Sequence, residues 1–134
     1  MLTINHETVC YIIIKAREFD VKVDPDDPDS GSNAADDRAV DVLEDFADDP
    51  TYQELRAALE ALNEDERAEL LALTFVGRGD FTKEEWNEAM AEARDVMDAN
   101  VVDYFVGIPL LGDYVEEGFA AFGHSCEDVE LGRL

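Results

Sequence analysis

Apolar residues in this chain recur three and four positions apart, nearly every such run opens on a residue able to cap a helix, and no stretch alternates with period two between hairpin turns. This constrains the fold more than any other feature, because a stripe of that period is buried only against another element, and the available elements are other helices. From about Asn5 to Phe19 the stripe is Val9, Ile12, Ile13, Ala16 and Phe19. A second helix is expected from Ala34 or Ala35, capped by Ser32 or Asn33, with Val40, Leu43, Phe46 and Ala47 facing inward. Asp49 and Pro50 read as the cap and first position of the next, which buries Tyr52, Leu55, Leu59 and Leu62. Asn63 and Glu66 have capping-box spacing ahead of Leu70, Leu71, Thr74 and Phe75, and Gly77 is the expected stop. Thr82 and Glu85 repeat the box before Trp86, Ala89, Ala93, Val96 and Met97, with a break expected at Asn100. After a helical stretch through Val102 to Val106, Gly107 reads as a left-handed stop, Pro109 as the opening of the last helix and Gly123 as its end. Leu111, Tyr114, Val115, Gly118, Phe119 and Phe122 form that helix's apolar face.

The expected fold is all-α, a single-domain bundle of about six short helices over residues 1–134, with a flexible acidic linker at 21–34 where Asp, Pro, Ser and Gly crowd together. Apolar residues make up 46% of the chain, enough for a core, but 34 acidic against 10 basic residues leave a net charge of −24. Such a molecule folds against its own repulsion. Direct binding to nucleic-acid phosphates or anionic lipid is disfavoured, and a basic protein partner or cations remain. The apolar run from Tyr104 to Gly112 lies between Asp103 and Asp113 and is far short of the ~20 residues a membrane span needs. Lys15 interrupts the early run YIIIK, so an export signal is not expected. Cys10 and Cys126 form no CxxC pair or multi-cysteine framework; this suits a reducing cytoplasm and leaves a single structural disulfide open.

Four blocks, REFDVKVDPDDPDSGSNAADD, LNEDERAELLALTFVGRGDF, EEW and GIPLLGDYVEEGFAAFGHSCED, taken in their order and spacing, resemble a bacterial family of small uncharacterised proteins classed as a domain of unknown function. The resemblance implies a bacterial cytoplasmic setting and transfers no catalytic residue, ligand or activity.

The stretch VGRGDF invites two functional readings. Aligned on an EF-hand loop with Gly79 at the sixth position, Phe81 and Glu85 fit the eighth and twelfth, but Thr74, Val76 and Arg78 fall at the first, third and fifth, where oxygen ligands are needed. The Arg-Gly-Asp tripeptide needs extracellular display to act in adhesion. A helix end followed by a capped helix start accounts for the same residues, and leaves Arg78 as the one without a role. His124-Ser125-Cys126-Glu127-Asp128 gathers an imidazole, a thiol, a hydroxyl and two carboxylates, so His124 and Cys126 are the metal candidates, with His6 or another acid needed alongside. The competing reading is a C-terminal cap with Cys126 buried.

No Gly-rich phosphate loop and no His-Glu-x-x-His is present, and in so acidic a chain carboxylate pairs carry no information. No catalytic residue and no cofactor is assigned. Between Asp24 and Asp49 stand eleven acids and one base, Arg38, and on the second helix Asp37, Asp41, Glu44, Asp45 and Asp48 lie opposite the apolar stripe. These five and Arg78 are the candidate interaction residues. Salt adaptation is another source of acidity, with lysine confined to Lys15, Lys22 and Lys83. The functional expectation is a non-enzymatic cytoplasmic interaction or regulatory module with an acidic surface. The alternative is a small-ligand or metal-dependent enzyme with a pocket by the C-terminal helix, where Gly112 and Gly118 would admit a ligand.

Overall fold

A computed structural model describes residues 2–22, 46–98 and 100–126. Among these are six helices and no strand: α1 (His6–Lys22), α2 (Pro50–Ala61), α3 (Glu64–Arg78), α4 (Trp86–Val96), α5 (Val101–Val106) and α6 (Leu111–Ala121), with a short 3-10 turn, Lys83–Glu85, leading into α4. The helix expected from Ala34, apart from its last residues Phe46 and Ala47, and all but the first two residues of the expected linker lie outside the described residues; Phe46 packs edge-on against Phe19 with ring centroids 5.5 Å apart, and Val21 and Lys22 belong to α1.

Local signals set most boundaries. The Asn5 side chain accepts from the backbone N–H of Glu7 and Thr8, at 2.8 and 3.2 Å, and opens α1. β-Branched Val9, Ile12, Ile13 and Ile14 are poor helix formers, so burial of Val9, Ile12, Ile13, Ala16 and Phe19 holds α1 rather than propensity. Asp49 caps α2 through the Tyr52 N–H at 2.9 Å, with Pro50 at the first position. Asn63 and Glu66 exchange the two bonds of a capping box, each 2.8 Å, at the start of α3. At Thr82 the backbone N–H donates to Glu85 Oε1 at 2.9 Å, and the first turn this supports is 3-10.

α3 lies at the centre, with its most extensive contact to α6 and a further one to α4; α1 packs on the other side of α6 and also holds α2. The core between them contains Ile12, Ile13, Phe19, Leu55, Leu59, Leu70, Leu71, Leu73, Phe105, Val115 and Phe119. One buried carboxylate fastens the N-terminal segment to this core. Glu69, 6% exposed, accepts from the Thr3 N–H through both oxygens, at 2.9 and 3.0 Å, from the Thr3 hydroxyl at 2.8 Å and from the Ile4 N–H at 2.9 Å. Bonds of this charge-assisted kind are what make an acid tolerable there.

Two expected helix ends move, each for a packing reason. α3 runs through Gly77 to Arg78, and Gly79 (φ 93°) takes the left-handed position, with Gly79 and Asp80 N–H donating to the carbonyls of Val76 and Phe75 at 3.1 and 2.9 Å. Gly77 is needed inside the helix: a Cβ there would overlap the Tyr114 carbonyl of α6, and one on Gly118 would overlap the Leu73 carbonyl of α3. At the other end, Gly107 is right-handed (φ −83°), α6 opens at Leu111 rather than Pro109, and Leu110 (φ 61°) supplies the left-handed residue. Gly112 then sits where an added Cβ would come within 2.8 Å of the Ile13 carbonyl oxygen of α1. Gly112 and Gly118 thus admit neighbouring helices, not a ligand.

Gly77→Ala and Gly118→Ala should each lower unfolding free energy by about 3 kcal/mol in urea titrations, because an overpacked site must move backbone. Gly79→Ala, with open space around it but a left-handed φ, should lose about 1 kcal/mol. Equal losses at Gly77 and Gly79 would show that α3 and α6 do not meet this closely.

Candidate functional site

Asp37, Asp41, Glu44 and Asp45 lie outside the described residues, and Asp48 is exposed just before the cap of α2. Arg78 and Asp80, the outer residues of the Arg-Gly-Asp tripeptide, bind each other: Asp80 Oδ2 is 2.8 Å from Arg78 Nε and 2.7 Å from Nη2. The guanidinium also lies 5.4 Å from the centre of the Phe75 ring. Burial disfavours its charge, but hydrogen bonding and charge from Asp80, with a contribution from Tyr104, outweigh that and hold its pKa above the ordinary value. The tripeptide is closed on itself. Thr74, at the first position of the rejected calcium loop, is buried in α3 with its hydroxyl donating to the Leu70 carbonyl at 2.9 Å.

At the C-terminal end, Gly123 (φ 83°) closes α6, with its N–H and that of His124 donating to the Ala120 and Phe119 carbonyls at 2.9 and 3.1 Å. His124 stacks on Phe119 with ring centroids 4.8 Å apart, and His6, the first residue of α1, meets the same ring at 4.9 Å. Cys126 is disulfide-bonded to Cys10 of α1, with Cα atoms 5.5 Å apart. In this state Cys126 offers no thiolate, and among the described residues no three His, Cys, Asp or Glu side chains are grouped to hold a metal ion. Spacing in sequence gave no sign of the pairing, since 116 residues separate the two cysteines.

The distribution of charge is the other feature of the surface. Lys15 pairs with Glu54 at 2.6 Å, Arg17 with Asp113 at 2.9 Å and also with Glu116, Lys22 with Asp49 at 2.8 Å, Arg56 with Asp103 at 2.7 Å, and Arg94 with Asp65 at 3.1 Å. Arg67 donates to the Leu59 and Glu60 carbonyls. These bases tie one element to the next. By contrast Glu84, Glu88, Glu92 and Asp95 are exposed and have no ion pair among the described residues. They follow one another at intervals of four, four and three, so they form one line about 16 Å long on the solvent face of α4 and the turn before it. The spacing was visible in the sequence, opposite Ala89 and Ala93, but overshadowed by the denser acids before Asp49.

At the upper end of this line lies an open depression of ≈ 540 Å³ lined by Lys83, Glu84, Ala120, Ala121, Phe122 and Gly123. Trp86 packs edge-on against Phe122, one of these lining residues, with ring centroids 5.0 Å apart. His124 and Cys126 do not line this depression.

Residues 52–124, more than half of the 134, match the family described as "Protein of unknown function (DUF3775)". The chain belongs to this family. The matched DUF3775 segment runs from the first turn of α2 to just past α6, so it contains the α3–α6 crossing, the acidic line and the depression, and leaves out α1 and both cysteines. No curated protein and no solved structure matches the chain. Among the described residues no helix is long and apolar enough to cross a membrane.

Asp49 gives the electrostatics a pH signature. Its hydrogen bond from Lys22, and then that from the Tyr52 N–H, hold its carboxyl below the ordinary 3.8. A folded-state pKa below the unfolded value stabilises the fold above pH 3.8, and this contribution disappears as pH falls through the lowered value. Asp49→Ala should therefore melt below the parent protein at pH 7, by a margin that narrows on acidification past pH 3.8. A margin constant from pH 7 to pH 2 would contradict this coupling.

Proposed function

We propose that this member of the DUF3775 family is a non-enzymatic interaction module that presents the line Glu84, Glu88, Glu92 and Asp95, with the adjoining depression, to a basic segment of a partner protein. The observation that carries this reading is the contrast in pairing: Lys15, Arg17, Lys22, Arg56, Arg67 and Arg94 join elements of the fold, while this line of acids has no ion pair among the described residues. Like charges one turn apart weaken a helix slightly, so the line does nothing for the stability of α4. A basic segment laid along α4 would neutralise it. Ala120, Ala121 and Phe122, which line the depression, offer an apolar side chain of that segment a place beside Glu84.

A setting inside a bacterial cell is part of the proposal and rests on the sequence resemblance and charge. The acids before Asp49, including Asp37, Asp41, Glu44, Asp45 and Asp48, add to the overall negative charge that draws a basic partner, and Arg78 has a local role through Asp80.

The test is fluorescence anisotropy with a labelled peptide of alternating lysine and leucine, at low salt. Neutralising the line (Glu84→Gln, Glu88→Gln, Glu92→Gln, Asp95→Asn) should weaken binding at least about tenfold, or ~1.4 kcal/mol. Neutralising four exposed acids elsewhere (Glu7→Gln, Asp48→Asn, Glu64→Gln, Glu117→Gln) removes the same charge and should change it far less. Equal loss in both variants would reduce the effect to net charge and remove the site.

A further inference from the structure

The disulfide joins two segments that each carry a histidine. His6 precedes Cys10 by one turn of α1, so the two side chains share a face with Cβ atoms roughly 5–6 Å apart. His124 precedes Cys126 by two residues in the segment after α6. The fold joins these pairs from opposite ends of the described chain. The cysteine Cα atoms are 5.5 Å apart, the His6 and His124 ring centroids are 5.8 Å apart and nearly perpendicular, and His6 Nε2 is 3.0 Å from the carbonyl oxygen of Ser125. Both cysteines are buried and both histidines are exposed, so in the disulfide state the four do not form a metal-holding group, but the fold brings all four residues to one end of the molecule.

We propose that the dithiol form of this chain binds one zinc ion through Cys10, Cys126, His6 and His124. Two thiolates and two imidazoles are a donor set suited to tetrahedral, borderline-soft zinc. Ligands four residues apart on one helix face are a known way of sharing a metal, and His6 with Cys10 has that spacing. Around zinc the two sulfurs stand about 3.8 Å apart, given Zn–S bonds of about 2.3 Å, a separation that rotation about the cysteine Cα–Cβ bonds supplies. His6 already reaches the backbone between His124 and Cys126, so the segment that carries two of the four ligands is held in place before any metal arrives.

Zinc and the disulfide exclude one another, since each sulfur is either bonded to the other or a thiolate ligand. A dithiol reductant supplies two electrons and two protons, the Cys10–Cys126 bond breaks to two thiols, and the reductant closes to its own disulfide. Zinc then replaces the two thiol protons, which are released to solvent. In either state residues 124–126 stay fastened to α1, by a covalent bond in one and by a metal in the other. This reconciles a disulfide in the fold with the reducing setting that the sequence suggests.

Cobalt(II) is the probe, because its spectrum reports both geometry and thiolate ligation. The full chain is reduced with a phosphine, the reductant is removed, and cobalt is titrated without oxygen. One equivalent should give intense visible d–d bands of a tetrahedral site and a thiolate-to-cobalt charge-transfer band in the near ultraviolet, both abolished by one equivalent of zinc; the oxidised chain should give neither. His6→Ala with His124→Ala alters only exposed side chains, so it should keep the helical circular dichroism while weakening cobalt binding more than about 100-fold, beyond the cost of losing an outer-shell partner. A reduced chain that gives only the weak octahedral spectrum expected of surface carboxylates would overturn the proposal. So would a tetrahedral spectrum whose affinity is unchanged in the double histidine variant.

Discussion

The approach of α3 and α6 at Gly77 and Gly118 is the constraint on which the rest of the structure depends. Each glycine lies under a backbone carbonyl of the other helix, Tyr114 for Gly77 and Leu73 for Gly118, so any side chain at either position would force the pair apart. Glycine in a helix interior costs about 1 kcal/mol relative to alanine, and this fold accepts that twice. What offsets the cost is contact: with the helices this close, Leu70, Leu73, Val115 and Phe119 are fully or almost fully buried between them. The crossing also sets the position of α1, which packs on α6 with Gly112 under the Ile13 carbonyl. It places the end of α6, and with it Phe122 and His124, against the turn into α4 and the start of α1 respectively.

Features that a short window of sequence can hold were legible in advance. Asp49-Pro50, the Asn63–Glu66 box and Gly123 act as a local reading of caps and stops requires, and the apolar stripe of α1 is buried as its period implies. What failed were choices between two locally adequate residues. Gly77 and Gly79 can each end a helix, and only the position of α6 decides that Gly77 must stay inside α3. Gly107 and Leu110 compete in the same way, and the residue with the higher local cost takes the left-handed conformation. The Glu69 clamp on Thr3 and Ile4, and the bond between Cys10 and Cys126, join residues more than sixty positions apart, beyond what periodicity or spacing can express.

Acidity in this chain serves more than one purpose. Asp49, Glu54, Asp65, Asp103 and Asp113 are structural, each held by a base from another element, and such pairs act mainly in register and orientation because exposed ones contribute little. The line along α4 has no such task. It lies within the residues that define the family, whereas the cysteines lie outside them, so the two proposals concern separable parts of the molecule: a surface carried by the family segment and a redox-dependent fastening of α1 to the chain's end. Loss of one leaves the other intact.

Native-state hydrogen exchange tests the central claim about the crossing most directly. If α3 and α6 form the part of the fold that opens last, the amides of Leu73, Phe75, Val115 and Phe119 should be the slowest to exchange, with one common opening free energy equal to that of global unfolding. Amides of α2 and α4 should exchange through smaller openings. Exchange from α6 that is faster than from α2, or an opening energy for Val115 and Phe119 well below that of global unfolding, would contradict the claim that the glycine crossing holds the structure together.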